Sequence, residues 1–274
     1  MSNLRVYLEG VGLWSPQLGS FADLQQLLDG RPYAAPGARP AASVLPPNER
    51  RRAPESVLLA AEVAGQAVAM SGRDPATLAC VFSSSHGDQT ITDYMCATLA
   101  QAPQELSPTR FHNSVHNAPA GYWTIATGCH APSTAVCAQR MSFGAGLLEA
   151  ASQVLADRRP VLLVCSDTGG SGPLLEMTGC LESFGCALVL APEWSTAAQA
   201  RLDLALEPAS ISTTPLREPL AGWQAANASA AGLGLLAVLA KGHGSCQLLA
   251  ADTLALNVKL EQLAVENIRM GHGA

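Results

Sequence analysis

The sequence predicts an α/β fold in which helices cover a largely buried sheet. Of the 274 residues, 48% are hydrophobic and only 14% are charged, which is enough apolar surface for a large core. Segments 160–166 and 184–190 are almost continuously apolar, as in strands that are covered on both faces. Strand-like and helix-like segments alternate along most of the chain. That alternation is typical of layered α/β proteins.

The first part of the chain opens with a strand. Alternating apolar residues over 5–14 predict that strand, and leucines at helical spacing over 21–29 predict a helix that Gly30 ends. Proline and alanine over 31–47 indicate a loop. The segment 54–70 has one apolar face and predicts a long helix, and 77–83 predicts a buried strand.

The same alternation continues to the end of the chain. Predicted helices cover 93–102, 118–127 and 143–157, and predicted strands cover 133–137, 160–166, 184–190 and 202–206. After Pro208 we predict a loop to Trp223, a helix over 227–241 and a hairpin of strands 245–250 and 254–260. Residues 266–274 are expected to form a frayed tail.

Charge and cysteine spacing exclude several classes of function. A formal charge of −6 and a pI near 5.5 disfavour nucleic-acid binding, and no apolar stretch is long enough for a membrane span. The N-terminus has no signal-peptide pattern, and the eight cysteines include no pair separated by two residues. We therefore expect reduced thiols, a cytoplasmic protein, and neither metal nor cofactor.

Residues 111–150 carry the most informative motif. The pair Ala131-Pro132 precedes the predicted strand 133–137, and Glu149-Ala150 lies in the helix that follows it. This stretch resembles the central part of β-ketoacyl synthases, the condensing enzymes of the thiolase fold, in which Gly-Pro precedes the strand leading to the nucleophilic cysteine. Counting forward from Pro132 or backward from Glu149 places that cysteine position at Arg140.

Arginine at this position implies a loss of chemistry. A condensing enzyme needs a thiolate, which a helix N-terminus stabilises, whereas a guanidinium stays protonated and cannot accept an acyl group. Arg140 at a helix start also requires an acidic or acyl carboxylate partner. Cys137, the rival nucleophile, is expected to be packed inertly in the strand. The resemblance also implies a pair of C-terminal catalytic histidines, or a histidine and an asparagine, but only His243 and His272 follow His130.

Other polar residues have several interpretations. His112 and His116 are four residues apart, but we favour an interface or acyl-tunnel role over metal binding. The loop 83–88 is predicted to be a turn after a strand. The resemblance implies these interface or acyl-tunnel candidates: Phe111, His112, Asn113, His116, Asn117, Tyr122, Gln139, Met141 and Phe143. Arg50, Arg51 and Arg52 are candidates for contact with a carrier protein, or form a solvated helix start.

Among condensing-enzyme relatives, the chain looks most like the chain-length-factor type of aryl polyene pathways. The resemblance implies a thiolase-like layered fold with a mixed sheet, in one domain over 1–274. That domain would have a complete N-terminal half (1–193), a reduced C-terminal part (194–263) and a tail (264–274). It implies a non-catalytic subunit that heterodimerises with an active β-ketoacyl synthase and meets acyl carrier protein indirectly. The alternatives are a divergent acyltransferase or hydrolase using Cys137, and a stand-alone acyl-binding homodimer.

Overall fold

The computed structural model describes residues 3–209 and 215–263. Within these ranges the strands are β1 (Leu4–Trp14), β2 (Ala79–Ser83), β3 (Ser133–Val136), β4 (Val161–Asp167), β5 (Phe184–Ala191), β6 (Ala200–Pro208), β7 (His243–Ala251) and β8 (Leu254–Gln262). The α-helices are α1 (Phe21–Leu28), α2 (Pro47–Arg52), α3 (Glu55–Ser71), α4 (Gln89–Gln101), α5 (Pro108–Asn113), α6 (Ala118–Thr127), α7 (Ser142–Asp157), α8 (Gly172–Thr178), α9 (Leu220–Ala226) and α10 (Leu233–Lys241).

All of these strands join one mixed sheet, in the order β3-β2-β4-β5-β1-β6-β8-β7. Strand β2 pairs in parallel with β3 and β4, and the other pairings are antiparallel. Every residue of β4 and β5 is buried, because helices cover both faces of the sheet there. The predicted fold class, a layered α/β structure with a buried mixed sheet, is confirmed.

Two helices define the layers on either side of the sheet. On one face, α3 packs through Leu59 and Val63 against Leu162 and Val164, and Trp123 of α6 joins this cluster. On the other face, α7 buries residues that include Phe143 and Leu147 in the larger cluster. Apolar burial on both faces is the main stabilising contribution to such a structure.

The hairpin β7–β8 packs against α7. Helix α7 contacts both β4 and β7. A Cβ atom added to Gly144 would lie 2.1 Å from the carbonyl oxygen of Leu249, so only glycine allows this approach. The C-terminal hairpin therefore packs directly on the helix that follows the Arg140 turn.

Several short elements differ from the prediction. Helix α4 begins at Gln89 and not at residue 93, because the Asp88 carboxylate caps it by accepting from the backbone N–H of Ile91 at 2.8 Å. The sequence pattern predicted neither α5 nor α8, and α8 has no buried residue. The helix predicted from residue 227 starts as a short 3₁₀ turn, Ser229–Gly232, before α10.

The arginines 50–52 lie in their own helix α2 and not at the start of α3, because Pro54 separates the two helices. The predicted tail, and residues 210–214 of the predicted loop before Trp223, lie outside the described residues. In the described part of the chain, no helix is both long and apolar enough to cross a bilayer.

Candidate functional site

Polar residues collect where the parallel strands β2, β3 and β4 end. Ser84, Ser85 and His86 follow β2, Cys137 follows β3, and Asp167 ends β4. The carboxyl ends of neighbouring parallel strands are the usual position of binding and catalytic groups in α/β proteins. This rim is the candidate functional site.

Asp167 organises the rim although its side chain is only 2% exposed. Its Oδ1 accepts from the Ser84 hydroxyl at 2.7 Å and from the backbone N–H groups of Ser85 and His86 at 2.8 and 3.2 Å. Its Oδ2 accepts from the Ser229 hydroxyl at 2.6 Å, so four donors offset the burial of the carboxylate. Sequence reasoning missed Asp167, although an acid that directly follows an apolar strand was a usable signal.

A second connection joins the same strand end to the C-terminal part. The Asn227 amide donates to the backbone oxygen of Asp167 at 2.8 Å and to that of Glu182 at 2.7 Å. Asn227 is itself 3% exposed. Together with the bonds to the Asp167 carboxylate, these bonds hold the loop after β2, the end of β4, the segment before β5 and the approach to α10 in one arrangement.

Arg140 lies on an exposed turn between β3 and α7. The turn is a short 3₁₀ helix, Gln139–Met141, and Gln139 within it has a left-handed φ of +50°. The Arg140 Nη2 donates to the backbone oxygen of Thr178 at 3.2 Å. Thr178 is the last residue of α8, where carbonyl groups carry partial negative charge. Within the described chain Arg140 therefore meets a helix-terminal carbonyl, and an acidic or acyl carboxylate partner stays a prediction.

Cys137 also differs from the prediction. It is exposed and not packed in the sheet, because β3 is the edge strand and Cys137 follows its last residue. The Cys137 thiol donates to the backbone oxygen of Ser85 at 3.4 Å. Burial therefore gives no reason to expect an unreactive Cys137 thiol.

The interface or acyl-tunnel candidates divide by exposure. Phe111 (57% exposed), His112, Asn117 and Gln139 lie at the surface, and Met141 is half-buried. His116 is half-buried, with Nε2 3.0 Å from the Ser84 backbone oxygen, and the half-buried Tyr122 donates to Asn113 Oδ1 at 3.2 Å.

Two of these candidates are unavailable to a partner surface. Asn113 is 4% exposed and Phe143 is 1% exposed, since Phe143 belongs to the larger core cluster. For these two residues the surface part of the prediction is wrong. Among the described residues, no group of three or more His, Cys, Asp or Glu side chains could hold a metal ion.

Two cavities adjoin the rim. One, of about 20 Å³, is lined by residues that include Ser84, Asp88 and His116, and its size suits a single water molecule, not an acyl chain. The other, of about 370 Å³, lies at the starts of α3 and α4 and is lined by Glu55, Asp88, Asp93, Tyr94 and Arg110, among others. The Arg110 guanidinium lies 3.8 Å from the centre of the Tyr94 ring. Arg140 lines neither cavity.

The arginines of α2 are solvent-facing. Arg51 and Arg52 are exposed and Arg50 is half-buried. Arg50 donates to the Ala41 backbone oxygen at 3.4 Å, and Arg51 donates to the Asn48 side chain. None of the three belongs to an ion pair with another described residue.

The strand order, the buried helix after the β3 turn and the polar rim define a thiolase-like layered fold. The sequence model of the β-ketoacyl synthase N-terminal domain matches residues 26–253. The chain belongs to that family, as its resemblance implied. No curated protein matches the sequence.

Solved structures with the same fold include ketosynthase complexes. The complex of a ketosynthase (ApeO) with its chain length factor (ApeC) from Xenorhabdus doucetiae matches with a TM-score of 0.71 and 23% identity, over 93% of this chain and 99% of that chain. The ishigamide ketosynthase/chain length factor matches with a TM-score of 0.69 and 17% identity, over 95% and 100%. A β-ketoacyl synthase from Burkholderia phymatum STM815 matches with 0.57 and 14%, over 86% and 70%. At these identities the similarity establishes the fold.

Proposed function

We propose that this chain is a non-catalytic subunit of the chain-length-factor type. It pairs with an active β-ketoacyl synthase in polyene or fatty acid-like biosynthesis, of which aryl polyene formation is the favoured case. There it completes the acyl tunnel of the partner and stabilises it. The observation that carries this proposal is Arg140, which takes the nucleophile position and whose guanidinium contacts a carbonyl of its own chain.

The chemistry of the turn supports a role without catalysis. A protonated guanidinium has no lone pair with which to attack an acyl thioester. The fold similarity to complexes of ketosynthases with chain length factors supports a paired assembly.

The edge strand β3 supports the predicted interface. Its residues alternate between exposed and half-buried, and none of them is charged. An unpaired edge without charges or proline is prone to association unless another chain covers it. The exposed apolar residues Phe111, Val115 and Ile125 also fit a surface that another chain covers. His116, which follows α5, contacts the backbone of Ser84, and Cys137, which follows β3, contacts that of Ser85. The loop after β2 therefore connects the α5 segment with the edge strand.

Co-expression with a cognate ketosynthase tests the partnership. We expect the two chains to co-purify and Ala135→Lys on β3 to weaken the complex at least tenfold, because a buried ammonium would oppose pairing. Ser245→Lys on β7, at the other edge of the sheet, is the matched control and should leave the complex intact. An active ketosynthase that elutes alone and makes products of unchanged length without this chain would refute the proposal.

The arginines of α2 are proposed to meet an acidic carrier protein once the heterodimer has formed. Their exposure and lack of acidic partners support this role. Replacing all three with glutamate should weaken carrier binding to the complex and reduce its salt dependence, as measured by surface plasmon resonance. Replacing Arg31 and Arg158, which already pair with acids, should have little effect.

A second candidate function is acyl transfer by Cys137, favoured by the exposure of its thiol. The thiolate would attack an acyl thioester, form a new thioester and release the carrier thiol. Mass spectrometry after incubation with acyl-carrier thioesters tests this candidate. An acyl group on Cys137 that is missing in Cys137→Ser would favour transferase chemistry, whereas an unmodified chain favours the non-catalytic subunit. Chromatography of this chain alone separates a stand-alone homodimer from both.

A further inference from the structure

The segment 169–183 between β4 and β5, here called the strap, contains α8 and is held by polar contacts. None of the residues of α8 is fully buried, and its apolar side chains Leu174 and Leu175 are only half-buried, so apolar packing fixes its position weakly. The backbone N–H of Gly170 donates to the carbonyl of Cys180 at 2.8 Å and closes the base of the strap. The position of α8 therefore depends on the few bonds that reach it from other elements.

Two side chains from distant elements meet at the end of α8. The Thr178 hydroxyl donates to Gln89 Oε1 at 2.8 Å, and Gln89 is 2% exposed. The Thr178 backbone oxygen accepts from Arg140 Nη2 at 3.2 Å. Of these contacts, only that of Arg140 carries a formal charge, and cations are favourable at a helix C-terminus.

Gly179 provides the space that this contact needs. It ends α8 in a left-handed conformation with φ +65°, and an added Cβ atom would lie 3.2 Å from Arg140 Nη2. The guanidinium thus lies in tight contact distance of the position that a Cβ atom would take.

We infer that Arg140 is a positioning residue that fastens the strap to the turn between β3 and α7. Its charge is used within its own chain and does not stabilise the acyl group in the site of a partner. The arginine at the nucleophile position therefore has a structural role, and it sets the placement of the exposed Met177 and Leu181.

Hydrogen exchange on the full chain, followed by mass spectrometry, tests whether Arg140 fastens the strap. Arg140→Ala should accelerate exchange in residues 172–181 about tenfold, the effect of losing one charge-assisted bond of moderate strength. Arg140→Lys should restore part of the protection, since an ammonium can also cap the carbonyls. Arg158→Ala is the matched control, because Arg158 follows α7 at its other end and pairs with the exposed Glu193. Unchanged exchange in the strap of Arg140→Ala would overturn the inference.

A second variant keeps the arginine and removes its space. Gly179→Ala should push the guanidinium away from the Thr178 carbonyl and accelerate exchange in the same residues by more than the strain of a left-handed alanine alone, with the charge of Arg140 retained. Gly128→Ala serves as its control, because Gly128 ends α6 at the same left-handed φ of +65° but nothing lies within 4 Å of an added Cβ atom there, so only the strain of the left-handed alanine is present. Normal protection of the strap in Gly179→Ala would contradict the proposed contact.

Whether the Arg140 charge acts in the site of a partner is tested in the complex, and this test rests on the proposed function. With saturating subunit, Arg140→Ala should leave the kcat and the product length of the ketosynthase partner unchanged. A fall in kcat with normal strap exchange would instead place the charge in the partner's site and overturn the inference. Failure of the wild-type chain to form any complex would count against the proposed function alone, because the exchange measurements do not depend on a partner.

Discussion

Solvent access differs sharply among the described cysteines. Cys96 and Cys137 are exposed, whereas Cys80, Cys165 and Cys186 are buried in the sheet. Burial raises the pKa of the Cys80 thiol to about 12 and that of the Cys165 thiol well above its usual value. Exposed thiols react through an accessible thiolate, which the buried thiols do not offer.

Alkylation should follow this division. At pH 8 in the native protein, iodoacetamide should modify Cys96 and Cys137 at least a hundredfold faster than Cys80, Cys165 and Cys186. The reagent reaches these three buried thiols only when the structure unfolds locally. Peptide mapping by mass spectrometry measures each rate, and urea-unfolded protein is the control in which the rates become similar. Equal rates in the native protein would contradict the placement of Cys137 outside the sheet.

Gly12 allows strand β1 to approach helix α3 directly. A Cβ atom added to Gly12 would lie 1.9 Å from the Val63 carbonyl oxygen, and only backbone movement could relieve this overlap. Gly12→Ala should therefore lower the free energy of unfolding by about 3 kcal/mol or more. Urea denaturation measures the loss.

Gly65 supplies the comparison within α3 itself. An added Cβ atom there meets nothing within 4 Å, and alanine favours a helix more than glycine does by about 0.5–1 kcal/mol. Gly65→Ala should be neutral or stabilising. A similar loss of stability in both variants would mean that the close approach of β1 and α3 does not explain the loss in Gly12→Ala.

At the scale of elements, a buried ion pair joins β1 to the end of α3. Glu9 is 0% exposed and lies at an irregularity in the β1–β5 register. The Arg73 Nε and Nη2 donate to its two carboxylate oxygens at 2.7 and 2.8 Å, and this bond raises the pKa of Arg73. The Ser195 hydroxyl also donates to Glu9, which connects a third segment.

Removing Arg73 should leave a buried carboxylate without its cation. Arg73→Met should cost about 2–4 kcal/mol, somewhat less than for a fully buried pair because the Arg73 side chain is 36% exposed. Adding Glu9→Gln should recover part of the loss, and urea denaturation of the two single variants and the double variant measures the coupling. Arg158→Met, which breaks an exposed pair, should cost less than about 0.5 kcal/mol. Additive losses would argue against the pair.

Long periodic elements were predictable from the sequence, but short ones were not. Helices α3 and α7 and strands β4 and β5 follow from apolar spacing within each segment. Helix α8 buries no residue, so it has no apolar pattern to detect. The exposure of Cys137 depends on β3 being an edge strand, which is a property of the strand order and not of the local sequence.

The candidate site shows the same limit. The position of Arg140 could be counted from nearby motifs, but its partner Thr178 is 38 residues away. Asp167 takes its four donors from residues 83, 82, 81 and 62 positions away. Such contacts arise from the crossing of strands and loops, and no spacing rule within a single segment predicts them.

At the scale of the whole molecule, one sheet joins the two predicted parts of the chain. Strand β1 pairs with β5 on one side and with β6, from the C-terminal part, on the other. The pairs Leu4–Leu204 and Val6–Leu202 place apolar residues of both parts in the larger core cluster or against it. The reduced C-terminal part thus completes the core that positions the rim.

The buried thiols should make this core less stable as the pH rises above 9. Burial raises the pKa of Cys80 to about 12 and of Cys180 to about 11, and those of Cys165 and Cys186 well above the ordinary value of 9.0. Above pH 9 these thiols lose protons when the chain unfolds but keep them while it is folded. Stability is therefore fully present below the unfolded pKa and falls as pH rises from there toward the folded values.

Urea denaturation at pH 7, 9 and 10 should reveal this dependence. Each of these thiols should lower the free energy of unfolding by about 1.4 kcal/mol between pH 7 and pH 10. Cys80→Ala should lower the free energy of unfolding at pH 7 through lost packing. It should also lose less of that free energy between pH 7 and pH 10 than the wild type does, by the contribution of one thiol. Cys96→Ala, at an exposed position, should leave the decline unchanged. If the pH profiles of the wild type and Cys80→Ala run parallel, the folded protein does not hold the Cys80 thiol in its protonated form.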